Sequence, residues 1–460
     1  MSELKMKKVL ILAYDFPPYV SVGGLRPYNW YRYLKEFGIE PIVVTRQWSN
    51  TYGNYLDYIA PSDNKSEVVE STEFGEIIRA PYIPNLANRI MLRHGDKKWY
   101  YLRRSISAFY EFSQFLYPVG PKVEVYFAAR NYLRNNKVDA IIATGDPFIL
   151  FKYASRLSKE FHAPWIADYR DPWTTNKTNI ISKYLKPWNW FFERKILKSA
   201  SAVTTVDKVF QRKITEVIGD KNFLILPNGY DPESINAVSG ITQNSEKLKI
   251  AFVGTIYDWH PLRSILRTIN EFVLTHKEIN FQLTFYGINT VLEVTDMIEK
   301  EYPKLSKYVV IIPKLPNKIL MEKLADANVM LLFNYYAYTG TKIYDYLAIR
   351  RKIIFCYSDD KEAIALKKQF YNIEESVEDN MSIQAEIIQS TNSGVIVKDA
   401  NHLLEVLDEL YREFENTGSI ACNSNGIEKY SRKIQVEKLA ELLASIQPLA
   451  SIQPLKRPLG

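Results

Sequence analysis

The sequence predicts an α/β protein made of two doubly wound parallel sheets facing a cleft. Three observations predict it. Short, β-branched apolar runs alternate with longer amphipathic stretches along the whole chain. Those runs are continuously apolar instead of alternating with polar residues, which is the pattern of strands buried on both faces. They also fall into two sets, separated by the polar stretch 231–247, DPESINAVSGITQNSEK. At 460 residues the chain has room for two large domains.

The elements follow in order. In the first set the strands are expected at 9–13, 41–45, 77–80, 140–144, 165–168, 202–206 and 223–226. The run from Val9 to Ala13 is only five residues long and meets Tyr14-Asp15, so it reads as a buried strand and not as the core of a signal peptide. A helix is expected next, through Asn29, Tyr31, Leu34 and Phe37. In the second set the strands are expected at 248–254, 283–287, 309–312, 329–333, 353–357 and 395–397, and a last strong helix at 427–446. The βα rhythm makes both sets Rossmann-like. The expected division is 1–230 for the first domain, 231–247 for a linker, and 248–425 for the second domain. Residues 426–446 then form a crossover helix that packs on the first domain. The tail 447–460 contains the repeat SIQPL and three prolines, and reads as disordered.

Composition narrows the class. Hydrophobic residues are 47% and charged residues 24%, ordinary for a globular protein and outside the disordered or collagen-like range. Cys356 and Cys422 form neither a disulfide framework nor a zinc cluster, which suits a reducing compartment. No stretch reaches ~18 uninterrupted apolar residues, so no membrane-spanning helix is expected. The expected location is the cytoplasm, with peripheral attachment to the inner face of the membrane as the alternative.

The net charge of +7 is concentrated. Between Arg89 and Lys137 there are ten bases and three acids, interleaved with aromatics such as Trp99, Tyr100, Tyr101, Phe109 and Phe112. A second cluster, Lys183 to Lys195 with Trp188, Trp190, Phe191 and Phe192, has the same character. Two helices with aromatic cores and solvated bases would explain this pattern. So would an anionic membrane surface, where aromatic rings sit at headgroup depth. Single-stranded nucleic acid is a third reading, but the charge surplus alone is poor support for it and no nucleic-acid partner is expected.

Glycines and charged residues at strand ends mark candidate sites. Gly23-Gly24 follows the first strand, where backbone N–H groups at a helix start can reach an anion. It is not the G-x-G-x-x-G dinucleotide fingerprint. Asp168-Tyr169-Arg170-Asp171 ends the fifth strand, and Gly145-Asp146 ends the fourth. Two carboxylates beside an arginine can bind a polyhydroxyl compound or position a phosphate, and equally can lock a turn. In the second set, Gly254-Thr255 and Gly287 end successive strands, which suggests a ligand crevice. Gly340-Thr341-Lys342 opens a helix with Thr341 as its cap. A lysine at the first helical position opposes the macrodipole, which makes sense if Lys342 and the helix N–H groups meet a phosphate. Asp345 is then free to accept hydrogen bonds from sugar hydroxyls. A plain amphipathic helix with a surface lysine is the competing explanation.

Taken together and in this order, YDFPPYVSVGGLRPYNWYRYL, TGDPF, PWIADYRDPW, LPNGYD, FVGTIYDWH and TGTKIYDYLA resemble bacterial glycosyltransferases of the family-4 type, with the two-domain GT-B fold. The similarity spans roughly residues 7–446. PWIADYRDPW and TGDPF are similar to a subgroup that builds surface polysaccharides. The resemblance implies a glycosyltransferase that moves a sugar from a nucleotide-sugar to a glycan or lipid-linked acceptor. It implies retention of anomeric configuration and no metal or other cofactor, and no D-x-D motif is present. It assigns Gly23, Gly24, Gly254, Thr255, Arg263, Gly340, Thr341, Lys342 and Asp345 to the donor. Arg170, Asp171 and Asp168 go to catalysis, and Arg26 and Asp146 to the acceptor side. Asp345 stands for the second acid of the family's E-x7-E motif, whose first acid is replaced by Ala337. Arg170 replaces the usual histidine. Thr255 and His260 stand where an Arg/Lys pair is usual, with Arg263 as the nearby substitute. A non-hydrolysing sugar-nucleotide epimerase and a non-catalytic nucleotide-sugar-binding subunit share the fold and remain alternatives.

Overall fold

The computed structural model describes residues 6–19, 21–49, 55–176, 185–276, 278–357, 359–371 and 382–447. Val20, Lys183 and the tail from 448 onward, with most of its SIQPL repeat, lie outside the described residues. The chain divides into two compact units, Met1–Pro227 with Gln435–Gly460, and Asn228–Ile434.

The first unit opens with β1 (Lys7–Leu12), α1 (Val22–Tyr33), β2 (Ile39–Arg46), α2 (Tyr55–Ile59), β3 (Val68–Ser71) and β4 (Glu76–Ala80). Three helices follow, α3 (Leu86–His94), α4 (Tyr100–Ser113) and α5 (Val123–Asn135). The chain continues through β5 (Ala140–Gly145), α6 (Ile149–Phe161), β6 (Trp165–Tyr169), α7 (Lys186–Leu197), β7 (Ala202–Thr205), α8 (Lys208–Ile218) and β8 (Phe223–Ile225). The strands make one sheet in the order β3-β4-β2-β1-β5-β6-β7-β8, all parallel neighbours except the antiparallel β3. The order reverses at β1, whose two neighbours are β2 and β5. That reversal leaves a crevice at the carboxyl ends of β1 and β5, the usual place for a ligand in an open α/β sheet.

The second unit runs α9 (Pro232–Asn236), β9 (Leu248–Val253), α10 (Leu262–Thr275), β10 (Phe281–Tyr286), α11 (Val291–Glu301) and β11 (Val309–Ile312). It continues with α12 (Asn317–Asp326), β12 (Val329–Phe333), α13 (Lys342–Ile349), β13 (Lys352–Cys356), α14 (Lys361–Phe370), α15 (Ile383–Thr391), β14 (Gly394–Val397) and α16 (Ala400–Thr417). Its sheet order is β11-β10-β9-β12-β13-β14, all parallel, with the switch at β9 and β12. The stretch read as linker therefore begins with a short helix, α9, capped by the Asp231 side chain.

The last helix, α17 (Arg432–Ser445), carries the chain back into the first unit. Val436, Leu439, Leu442 and Leu443 join Val9, Ile11, Trp30 and Val43 in one buried cluster. Lys7 donates to the carbonyls of Leu443 and Ala444, which satisfies two acceptors that a helix end leaves open. The helix starts later than the expected 427: Glu428–Tyr430 forms a separate 3-10 turn, and Ser431 is extended and bridges to Tyr230.

The basic, aromatic segment is of two kinds. α5 buries Val125, Tyr126, Ala129 and Leu133 as an ordinary amphipathic helix does. α4 buries only Ser113. Tyr101 is 83% exposed and Phe109 64%, so α4 does not have the aromatic core that the simplest reading expected. Among the described residues no helix is long and apolar enough to cross a membrane.

Candidate functional site

The crevice at β1 and β5 collects charge from three strand ends. Asp15 follows β1, Asp146 follows β5, and Arg170 and Asp171 follow β6. Ser21 caps α1 by accepting from the Gly24 N–H at 3.0 Å and donates to Asp15 Oδ2 at 2.8 Å. The cap thus fixes both the helix start and the Asp15 carboxylate. It also commits the Gly24 N–H, so that group is not open to an anion as expected. Among the described residues, the other oxygen of Asp15 is buried without a hydrogen-bond partner. Arg170 is anchored through Nε to the Gly145 carbonyl at 3.0 Å and through Nη2 to the Asp146 carbonyl at 2.8 Å. Gly23 lies against it: a Cβ there would stand 2.0 Å from Arg170 Nη1 and 3.0 Å from Asp15 Oδ2.

The electrostatics follow from this packing. Burial raises the pKa values of Asp15 and Asp171, and in both the Arg170 charge opposes the rise while Asp146 adds to it. The carboxylates of Asp15 and Asp171 therefore share one guanidinium, with Lys122 also acting on Asp15. A cavity of about 370 Å³ adjoins them, lined by Glu111, Lys122, Asp146, Phe148, Trp173 and Asn189 among others. Phe148 and Trp173 stack nearly parallel at 5.2 Å. Hydrogen-bonding groups around a flat aromatic wall suit a polyhydroxyl ring, whose C–H faces are apolar and whose edges are polar.

Two residues assigned to this site from the sequence do something else. Asp168 is wholly buried. Its oxygens take the Arg26 Nε at 2.9 Å, the Thr144 hydroxyl at 2.8 Å and the Thr204 hydroxyl at 2.6 Å. Arg26 is equally enclosed and also donates to the Leu226 carbonyl. The pair ties α1 to β6 inside the unit, so Asp168 is a framework carboxylate and Arg26 its counter-ion, not an acceptor contact. The loop bearing Arg170 and Asp171 has its own buttress in Glu193 of α7. That carboxyl accepts from Tyr169 Oη at 2.9 Å and from the Thr174 N–H and hydroxyl. Burial pushes its pKa up to about 7.

The second candidate crevice lies at β9 and β12, within the second unit. Gly254 ends β9 at φ +110° and Gly340 precedes α13 at φ +68°, both in the region that favours glycine. Thr255 is exposed at the same strand end. The Val253 N–H donates to Tyr346 Oη of α13 at 2.9 Å, which fixes the start of α13 beside the end of β9. Thr341 occupies the cap position without a side-chain cap bond. Lys342 Nζ lies 3.6 Å from Asp345 Oδ2, and both are partly exposed. The loop before α13 is held from behind. Gln384 accepts from the Tyr335 N–H and donates to the Thr339 carbonyl, and the Ala337 N–H donates to Tyr371 Oη.

The residues near the place of the missing Arg/Lys pair differ in charge. Arg263 is bonded to Glu301 of α11 at the surface. His260 is buried among the rings of Phe333, Tyr335 and Tyr257. Burial pushes its pKa down to about 3, so it is neutral, and its Nδ1 accepts from the Tyr257 N–H at 3.2 Å.

Sequence reasoning missed Asp15, Lys122 and Trp173. Asp15 stood in plain view, since it ends β1 as Asp171 follows β6. Lys122 and Trp173 carry no local signal, because only the tertiary fold brings them to the cavity beside Asp146.

Residues 26–234 match the family model Glycosyltransferase Family 4. Among solved structures, a sucrose-phosphate synthase from Thermosynechococcus elongatus is 12% identical, with TM-score 0.57 over 95% of this chain and 98% of that chain. An α,α-trehalose-phosphate synthase (UDP-forming) from Burkholderia xenovorans, in complex with glucose-6-phosphate, is 12% identical, with TM-score 0.53 over 95% and 100%. HepE of Anabaena in complex with UDP is 12% identical, with TM-score 0.51 over 95% and 100%. At such identity these likenesses show the fold. No curated protein matches the sequence.

Proposed function

We propose that this glycosyltransferase, which matches the family 4 model over residues 26–234, transfers a sugar from a nucleotide-sugar to a lipid-linked glycan during surface-polysaccharide assembly. The observation that carries the donor side is the start of α13, where Lys342 and Asp345 stand beside Gly340 at the carboxyl end of β12. As the glycosidic bond breaks, negative charge grows on the departing diphosphate. Lys342 and the open N–H groups of α13 would meet that charge, where preorganised donors are most effective. Asp345 would accept from ribose hydroxyls. These groups supply countercharge without a metal, so the reaction is proposed to need none. The acceptor hydroxyl proton would leave with a diphosphate oxygen, and the configuration at the anomeric carbon would be retained.

In the first unit, Arg170 and Asp171 would bind hydroxyls of the acceptor sugar, with Asp15 and Asp146 adding acceptors. UDP and sugar phosphates are bound in the solved relatives named above, which supports a uridine nucleotide as the first donor to try.

Peripheral membrane attachment is proposed for α4. Its exposed aromatics sit among Lys97, Lys98, Arg103 and Arg104, and each base near an anionic surface is worth about 1 kcal/mol. Sedimentation with anionic vesicles at low salt should carry the protein down, and failure to sediment would remove this part.

The donor assignment is tested by Lys342→Ala and Asp345→Ala. Each should lower turnover at least tenfold with circular dichroism unchanged. Normal turnover in both would overturn it. Early product examined by NMR should carry the anomeric configuration of the donor; an inverted product would reject retention.

A further inference from the structure

A second cavity in the first unit lies away from the carboxylate cluster. It measures about 620 Å³ and is built from the loop after α2, the loop after β4 and one side of α3. Its walls are Pro61, Pro81, Tyr82, Ile83, Pro84 and Leu92, and its polar lining is mostly cationic, with Lys65, Arg89 and Arg93. A volume of this size falls within the usual range for ligand pockets, roughly 300–1,000 Å³.

Two features make it a preformed groove. The Ser62 N–H donates to the Tyr82 carbonyl at 3.2 Å and the Tyr82 N–H donates to Ser62 Oγ at 2.9 Å, so the two loops are pinned to each other. Three prolines then line it without adding backbone N–H donors, which keeps the walls apolar. Its apolar wall is costly in water: Ile83 is 53% exposed and Leu92 38%. Arg89 is steered by its Nε, which donates to the Pro84 carbonyl at 2.9 Å and leaves the rest of the guanidinium open. Among the described residues, Lys65, Arg89 and Arg93 have no carboxylate partner. The chemistry that satisfies an apolar channel with an unneutralised cationic rim is an anionic amphiphile.

We propose that this groove holds the hydrocarbon chain of a phosphate-bearing membrane lipid, with the phosphate on Lys65, Arg89 and Arg93. This rests on the reading of a lipid-linked acceptor and gives that acceptor's chain a binding site. α4, with its exposed aromatics, packs on α3, one side of which lines the groove. The charge rule is the same in both places: bases at the phosphate level, apolar groups below it.

The test is equilibrium binding of octyl phosphate to the full chain by calorimetry, with inorganic phosphate and octanol as controls. Octyl phosphate should bind at least tenfold more tightly than either control. Ile83→Glu and Leu92→Glu change exposed or half-exposed side chains, and each should weaken octyl phosphate at least tenfold. Arg89→Gln with Arg93→Gln should weaken octyl phosphate equally while leaving octanol binding as it was. Equal affinity for inorganic and octyl phosphate would overturn the proposal, as would wild-type binding in the glutamate variants. So would a dimer that Leu92→Glu converts to monomer without change in octyl phosphate affinity, since the groove would then belong to a second copy. None of these readouts uses turnover. Failure of the transferase reading shows instead as no sugar transfer from any nucleotide-sugar to any lipid-linked or water-soluble acceptor.

Discussion

Replacing Asp168 by asparagine leaves the Arg26 guanidinium enclosed without its counter-charge. Breaking a buried pair in this way costs about 3–5 kcal/mol, so Asp168→Asn should lower the urea midpoint by that equivalent at unchanged m-value. A loss under 1 kcal/mol would mean the pair is not part of the framework. Asp171, three residues on, behaves differently because it is held beside Arg170 without a saturating set of donors. The sequence showed D-x-R-D at a strand end but could not divide the two acids between framework and site. That division depends on Thr144, Thr204 and Arg26, which are distant in sequence. Gly23→Ala should act on the site through Arg170, because the new Cβ would stand 2.0 Å from its guanidinium. We expect kcat/KM to fall at least tenfold with little change in melting temperature; unchanged kinetics would separate Arg170 from the reaction. Glu193 gives a pH signature. Its folded pKa of about 7 lies above the ordinary 4.5, so its relative stabilisation is complete below about 4.5 and is lost as pH rises through 7. At 1.36 kcal/mol per unit this amounts to roughly 3 kcal/mol. Thermal melts of the wild type should fall across that window, and Glu193→Gln should flatten the fall.

Among elements, the strands were the most legible. Runs such as Val9-Leu10-Ile11-Leu12 and Val329-Met330-Leu331-Leu332-Phe333 are apolar on both faces because helices cover both sides of each sheet. β3 escaped for the opposite reason. VVES is a four-residue, mostly exposed, antiparallel edge strand, and Glu70 reaches across it to Arg79 at 2.9 Å. Charged, short edges resist pairing with other chains, and the same features make them read as loop. α4 was ambiguous on composition, because an aromatic helix is normally a core helix. Only the fold shows that its rings have no sheet to cover. Tyr101→Asp with Phe109→Asp should therefore leave the melting temperature within about 2 °C, since exposed positions contribute within ±0.5 kcal/mol, yet abolish sedimentation with anionic vesicles. A large stability loss would instead return these rings to a structural role.

At the scale of the whole molecule, the two units differ in how the chain builds them. The second is contiguous, from Asn228 to Ile434, whereas the first is completed only when the chain returns after Gln435. The two sets of strands and the late helix were readable from their patterns. α9 lies in polar sequence that reads as linker, and Tyr230 just before it bridges to Ser431. This asymmetry gives opposite expectations for two shortened chains. A chain ending at Ile434 removes Val436, Leu439, Leu442 and Leu443 from the cluster they share with Val9, Ile11 and Trp30. Each such side chain contributes about 1.5–3 kcal/mol on burial, and four together rival the 5–15 kcal/mol of a whole domain. The first unit of that chain should melt early or aggregate. Residues 228–434 alone keep both faces of their sheet covered and should melt cooperatively. If the donor groups at α13 are sufficient, this piece should also gain thermal stability from UDP, by an amount that grows with the logarithm of ligand concentration. A folded 228–434 piece that no uridine, guanosine, cytidine or thymidine nucleotide stabilises would place the nucleotide elsewhere, and a folded first unit lacking α17 would show that the returning helix is dispensable.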